Sequence, residues 1–215
     1  YAFLVQLDVL SANPASGADR PQVDQDYSPT ESFGAAAAAA ILAAACQGDE
    51  HLGDTAAPLA TWLVEMGTRV SETCLLDVDR LGQRNGYRTV TLTVKGGRQL
   101  LRTIPPGVIS VLDPYLERRA GLLGVTVEEL AGPLFLDRRG RRVDRHQVAR
   151  LVRRLARWAG LPNWQRIRPA SFRHAWNEMA RQAGARLEDR QDAMGHQDPR
   201  TTRRYDRRAG LLARD

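Results

Sequence analysis

Residues 171–205 read SFRHAWNEMARQAGARLEDRQDAMGHQDPRTTRRY, and this stretch governs the reading of the whole chain. Phe172, Trp176, Met179 and Ala183 recur at the period of one helix face, which predicts a helix over Ser171–Ala183. Gly184 stands where helices end. Leu187–Met194 predicts a shorter helix closed by Gly195, and Thr201-Thr202 offers hydroxyl caps for a last helix carrying Tyr205. Arg173-His174 rides on the first of these. His196 follows Arg173 by 23 positions, and Tyr205 follows His196 by nine. A guanidinium, an imidazole and a phenol in one site suit a phosphodiester. Arginine forks match its non-bridging oxygens bidentately and stay charged at any usable pH. A tyrosine hydroxyl can attack the phosphorus and hold it as a covalent ester.

Working outward, Asp144–Ala159 predicts a helix with Val148, Leu151, Val152, Leu155 and Trp158 on its apolar face. Arg150, Arg153, Arg154 and Arg157 lie on the opposite face, candidates for contacts to a nucleic-acid backbone. Such contacts position a protein without reading sequence. Nine arginines fall between positions 138 and 157, with Asp144 the one acid among them. Val108–Arg119 predicts another helix. Gly86–Val94 alternates as a strand, Lys95-Gly96-Gly97 signals a turn, and Gln99–Ile104 returns as a second strand stopped by Pro105-Pro106. Ala57–Glu65 predicts a helix ended by Gly67, and Val70–Leu76 resumes helical spacing after Arg69. The alanine run 35–45 is a strong helix former, with a start expected at Ser28-Pro29-Thr30-Glu31. Residues 13–27 have the Pro, Gly, Ser and Asp content of a linker. Residues 1–12 read as the end of an apolar helix from a truncated preceding domain, and 28–215 as the main domain. The class is mainly α with a small antiparallel β-sheet.

Composition narrows the partners. The net charge is +6, but residues 1–60 carry one basic residue against eight acids, and the rest carry thirty against seventeen. So basic a region points to a polyanion, most simply nucleic acid. Thirty of the 31 basic residues are arginine, and the one lysine is Lys95. Where arginine serves every other need for positive charge, a lone ammonium fits a place that must release a proton. The bias toward arginine also suggests a GC-rich bacterial or phage source. Cys46 and Cys74 have no metal-ligand spacing and fit a reducing cytoplasm. The four histidines have no Cys or acidic partner at ligand spacing, so neither a metal nor another cofactor is expected. No apolar run approaches a membrane span.

The segment Arg173-His174, Met194-Gly195-His196, Thr201-Thr202, Tyr205 resembles the C-terminal motif of the tyrosine recombinases, the phage-integrase family. Met66-Gly67-Thr68-Arg69-Val70-Ser71-Glu72 is similar to that family's first-arginine motif. Lys95-Gly96-Gly97 with Ile104-Pro105 resembles its lysine turn, and residues 13–21 its interdomain linker. The resemblance covers the whole chain. It implies the recombinase catalytic-domain fold, preceded by the end of a core-binding domain. It implies Tyr205 as nucleophile, Arg69 and Arg173 as the phosphate clamp, His196 as a further donor and Lys95 as general acid, with Glu72 orienting Arg69 or its helix. It also implies double-stranded DNA as partner, a homotetramer on that DNA, and strand cleavage and rejoining through a 3′-phosphotyrosyl intermediate. One position departs. The family carries His or Lys three residues before its second arginine, where this chain has Ala170; Arg168 or His174 are the neighbours placed to compensate. Two alternatives therefore stay open: a weakened or non-catalytic DNA-binding protein on the same scaffold, and a type IB topoisomerase.

Overall fold

The computed structural model describes residues 1–18, 30–94 and 96–195. Lys95, His196 and Tyr205, with the predicted last helix, lie outside the described residues. Helix α1 spans Ala2–Gln6, shorter than the sequence suggests, and none of its residues is buried. Tyr1, Phe3, Leu7 and Val9 are exposed.

Helix α2 (Ala35–Ala45) begins at Gly34, later than the hydroxyl–proline signal suggests. The residues just before it are irregular because Phe33 is a core residue, packed edge-on against Phe172 with ring centroids 5.0 Å apart. Helix α3 (Ala56–Met66) is apolar nearly all round, and it is the central rod of the molecule. Trp62, Leu59, Leu63 and Met66 are fully buried in it. Gly67 ends α3 in the left-handed conformation at φ 57°. A short helix, α4 (Val70–Cys74), then starts at Arg69.

The sheet is a three-stranded antiparallel meander: β1 (Leu81–Arg84), β2 (Tyr87–Thr93) and β3 (Gln99–Thr103), in the order β1-β2-β3. The expected hairpin is β2–β3, closed by the Val94 N–H donating to the Arg98 carbonyl at 2.9 Å. Strand β1, Leu-Gly-Gln-Arg, has no alternation or β-branched residue to announce it; its pairing with β2 places it.

Pro105 and Pro106 do more than stop β3. Pro106 opens helix α5 (Pro106–Leu123), pre-set for the first helical position. Helix α6 (Arg145–Trp158) is capped by Asp144, whose carboxylate accepts the N–H groups of His146 and Gln147 at 2.7 and 2.8 Å. Val148, Leu151, Val152 and Leu155 form its buried face as expected, but Trp158 is 51% exposed, just where the helix runs out into Gly160. Helices α7 (Pro169–Gln182) and α8 (Leu187–Met194) follow, and α7 packs on α3. On α7 the buried face includes Ser171, Arg173 and Asn177, while Trp176 and Met179 are half-buried and Ala183 is exposed. A polar buried face escapes a search for apolar periodicity.

Candidate active site

The site is assembled where α3 ends, α4 begins and α7 crosses them. Gly67 is demanded twice: its φ is positive, and a Cβ there would lie 2.6 Å from Cγ of Trp176. The close approach brings α7 against the turn that delivers Arg69. Beneath the turn runs a buried relay. Trp62 Nε1 donates to Thr68 Oγ1 at 3.1 Å, Thr68 Oγ1 pairs with Thr73 Oγ1 at 2.7 Å, and Thr73 Oγ1 donates to the Arg69 carbonyl at 3.1 Å.

Glu72 holds Arg69 at both ends. Its Oε2 accepts the Arg69 backbone N–H at 2.8 Å, which caps α4, and its Oε1 accepts from Arg69 Nη1 at 2.7 Å. Of the two side chains, the carboxylate is 5% exposed and the guanidinium 32%. The arrangement therefore orients the cation from below and leaves part of it open to solvent. The sequence left open whether Glu72 serves the arginine or the helix; it serves both.

Arg173 is only 6% exposed. Its Nη1 donates to the Gly67 carbonyl at 2.8 Å and its Nη2 to the Met194 carbonyl at 2.7 Å. It thus ties the turn before Arg69 to the last carbonyl of α8, one residue before Gly195. Helix ends leave such carbonyls without helical partners, and a cation suits the negative end of the helix dipole. A Cβ on Gly195 would lie 3.3 Å from Val94 Cγ1 and from Leu100 Cδ2, so the end of α8 abuts the β2–β3 hairpin. Val94 and Gly195 are the chain neighbours of Lys95 and His196.

The remaining predicted residues divide. His174 is half-buried on α7 beside Arg173. Arg168 and Ala170 are exposed at the start of α7, and the Arg168 N–H donates to Ser171 Oγ at 3.1 Å. On α6, Arg150, Arg153 and Arg157 are exposed, with Arg157 lying over the Trp164 ring at 5.4 Å. A cleft of about 430 Å³ opens beside Arg150, bounded also by His51, Arg138 and Arg139. Arg154 behaves differently. It grips the fully buried carboxylate of Asp49 through two bonds of 2.8 Å, tying α6 to the loop after α2. Burial raises Asp49, but Arg154 and the N–H groups of His51 and Leu52 outweigh that and hold it below its ordinary 3.8.

One residue that the sequence reading did not single out belongs to this neighbourhood. Arg102, on β3, donates through Nη1 to the Met66 carbonyl and lies 5.5 Å over the Trp176 ring. Burial first, and then the charge of Arg173, bring its guanidinium down to about 10, with Glu72 opposing both. The available signal was its place in the strand after the lysine turn, three residues before Pro105. Among the described residues, no group of three or more His, Cys, Asp and Glu side chains gathers as metal ligands would, and no helix is long and apolar enough to cross a membrane.

Residues 34–210 match the model of the phage integrase family. The chain belongs to that family. Among the relatives similar to it, the tyrosine recombinase XerC of Mycobacterium leprae (strain TN) is 38% identical over 173 residues, covering 77% of this chain and 54% of that protein. The XerC of Bifidobacterium longum (strain DJO10A) is 33% identical over 150 residues, covering 66% of this chain and 40% of that protein. The chain thus spans about half the length of these relatives. Its fold is similar to the crystal structure of XerA recombinase, with a TM-score of 0.69 at 20% identity over 88% of this chain and 66% of that one. It is also similar to XerH bound to its difH substrate in a pre-cleavage complex, with a TM-score of 0.68 at 21% identity over 86% of this chain and 54% of that one. The mainly α fold with a small antiparallel sheet is therefore the tyrosine recombinase catalytic-domain fold.

Proposed function

We propose that the chain is the catalytic part of a site-specific DNA recombinase that cleaves and rejoins strands through a 3′-phosphotyrosyl intermediate. The observation that carries this is the double grip of Arg173 on the carbonyls of Gly67 and Met194, which ties the turn before Arg69 to the end of α8. The family relatives named recombinases and the recombinases solved with DNA support the same reading.

In this reading Tyr205 Oη attacks the scissile phosphorus and gives its proton to solvent or a neighbouring acceptor. The bond from phosphorus to the 5′ oxygen breaks, and Lys95 protonates that oxygen as general acid. Arg69 and Arg173 hold the non-bridging oxygens, His196 donates a further hydrogen bond, and rejoining reverses the steps. Glu72 fixes the Arg69 fork. His174 and Arg168 are supporting candidates. Double-stranded DNA lies along the exposed Arg150, Arg153 and Arg157; Arg154 is assigned to structure because Asp49 occupies its fork. Residues 1–12 are the end of a core-binding domain, 13–27 its linker and 28–215 the catalytic domain. The working assembly is a homotetramer on DNA in a bacterial cytoplasm.

The test is covalent trapping. The full-length protein is incubated with nicked duplexes from the DNA flanking its gene, beside the Tyr205→Phe variant. A denaturation-resistant adduct lost in the variant is expected; DNA binding without an adduct overturns the reading in favour of plain DNA binding. Ala170→His restores a donor that such sites use at a gain of about 10²-fold or more in rate. Faster adduct formation is expected, and an unchanged or slower rate contradicts the idea of a missing group.

A further inference from the structure

Met66 and Gly67 supply the last two carbonyls before the turn to Arg69, and each is held by a different guanidinium. Arg173 takes Gly67 from α7, and Arg102 takes Met66 from β3. Trp176 stands between the two grips, with the Arg102 guanidinium 5.5 Å over its ring and its side chain against Gly67. The Arg69 turn is thus clamped from both sides, by the helix that carries one phosphate-clamp candidate and by the strand that follows the lysine turn.

A neutral donor would satisfy the Met66 carbonyl. Burying a charge to do it is costly unless an opposite charge compensates. Among the described residues no carboxylate is hydrogen-bonded to Arg102, and Glu72, the acid that favours its charged form, is already bridged to Arg69. The half-buried guanidinium is instead committed to the backbone of the turn that delivers Arg69, with Trp176 on its other side.

We propose that Arg102 is a positioning residue for cleavage: it locks the Met66–Arg69 turn and adds a half-buried positive charge beside the site, so that Arg69 meets the scissile phosphate already aligned. This rests on the recombinase reading above. The role needs no contact between Arg102 and the reacting atoms. Arg102 acts through Arg69, and its loss therefore costs most when the reacting group carries full negative charge.

The experiment uses the full-length protein on saturating nicked duplex, with either a normal phosphodiester or a neutral methylphosphonate at the cleavage position. Removing a negative charge from that group lessens its need for guanidinium. On the phosphodiester, Arg102→Met is expected to slow adduct formation about 10²-fold, the scale of one lost preorganised donor. On the methylphosphonate the expected loss is under about tenfold, the pattern also expected of Arg69→Ala. Arg102→Lys keeps the charge and a donor but not the fixed guanidinium geometry between Met66 and Trp176, and is expected to fall between wild type and Arg102→Met. Should Arg102→Met not fold, Arg102→Lys carries the test by the same substrate dependence. Equal slowing on both substrates marks a structural role only and overturns the proposal. Wild-type rates on both overturn it too, while the recombinase reading stands. A wild-type protein that forms no adduct on the phosphodiester removes both.

Discussion

Arg173 and Arg153 sit on helices that touch each other, yet the same side chain is put to opposite uses. On α7 Arg173 is 6% exposed, with Nη1 and Nη2 each donating to a backbone carbonyl. On α6 Arg153 stands in solvent with Arg150 and Arg157. A buried guanidinium holds one geometry, because every alternative leaves a carbonyl or a charge unsatisfied. An exposed one is free to follow a flexible polyanion, and salt screens it. Arginine content alone says little about use; the partner of each guanidinium decides. Arg154 makes the point within a single helix, since Asp49 takes it out of the basic face.

The largest effect is expected at Arg173. Lysine there can reach one of the two carbonyls but not both, so Arg173→Lys slows cleavage at least about 10²-fold. It also costs about 1–3 kcal/mol in urea unfolding, as the second carbonyl goes unpaired. Asp49→Ala comes next. It strands the Arg154 charge and lowers stability by about 3 kcal/mol, while DNA affinity per folded molecule is unchanged. Because Asp49 is held below 3.8 in the folded state, the stability it contributes is fully present above the ordinary carboxyl range. That stability is lost as pH falls through 3.8 toward the native value, and unfolding curves of Asp49→Asn and wild type should converge over the same window. Equal separation at all pH values would break the assignment of Arg154 to structure.

A smaller effect is expected of Glu72→Gln. The amide retains one acceptor for the Arg69 N–H but loses the charge that orients the guanidinium. Cleavage should fall about tenfold to 10²-fold, with a stability loss of about 1–2 kcal/mol. Smallest in stability is Arg150→Gln with Arg153→Gln and Arg157→Gln together, within about 0.5 kcal/mol per site. Here the change appears in the salt dependence of DNA binding, whose log–log slope should flatten by about 0.9 per lost phosphate contact, equally on any sequence. A changed sequence preference would move these arginines from positioning to base reading.

Much of this division was legible in the chain. The α6 and α8 boundaries and the β2–β3 hairpin follow from periodicity, caps and turn residues. The Gly67 stop and the order Arg69, Arg173 are written locally as well. What was not legible depends on partners far away in sequence. Arg154 and Arg153 are adjacent and equal in composition; only the fold brings Asp49, 105 positions away, to one and not the other. Arg102 looks like any strand arginine until Met66 and Trp176 are packed round it. Strand β1 exists because β2 offers it an edge, and Trp158 points outward because α6 ends beneath it. The candidate site was readable as a set of residue types, and the described residues bring together Arg69, Glu72 and Arg173. Lys95, His196 and Tyr205 lie outside them.

In the proposed reading, buried Arg173 serves the chemistry, and the exposed Arg150, Arg153 and Arg157 serve binding. The most direct measurement is the rate of adduct formation at saturating DNA for wild type, Arg173→Lys and the Arg150/Arg153/Arg157→Gln triple variant. With binding saturated, the triple variant should react within about threefold of wild type and Arg173→Lys at least about 10²-fold more slowly. A triple variant that stays slow at saturation, beside an Arg173→Lys that reacts normally, would contradict the account.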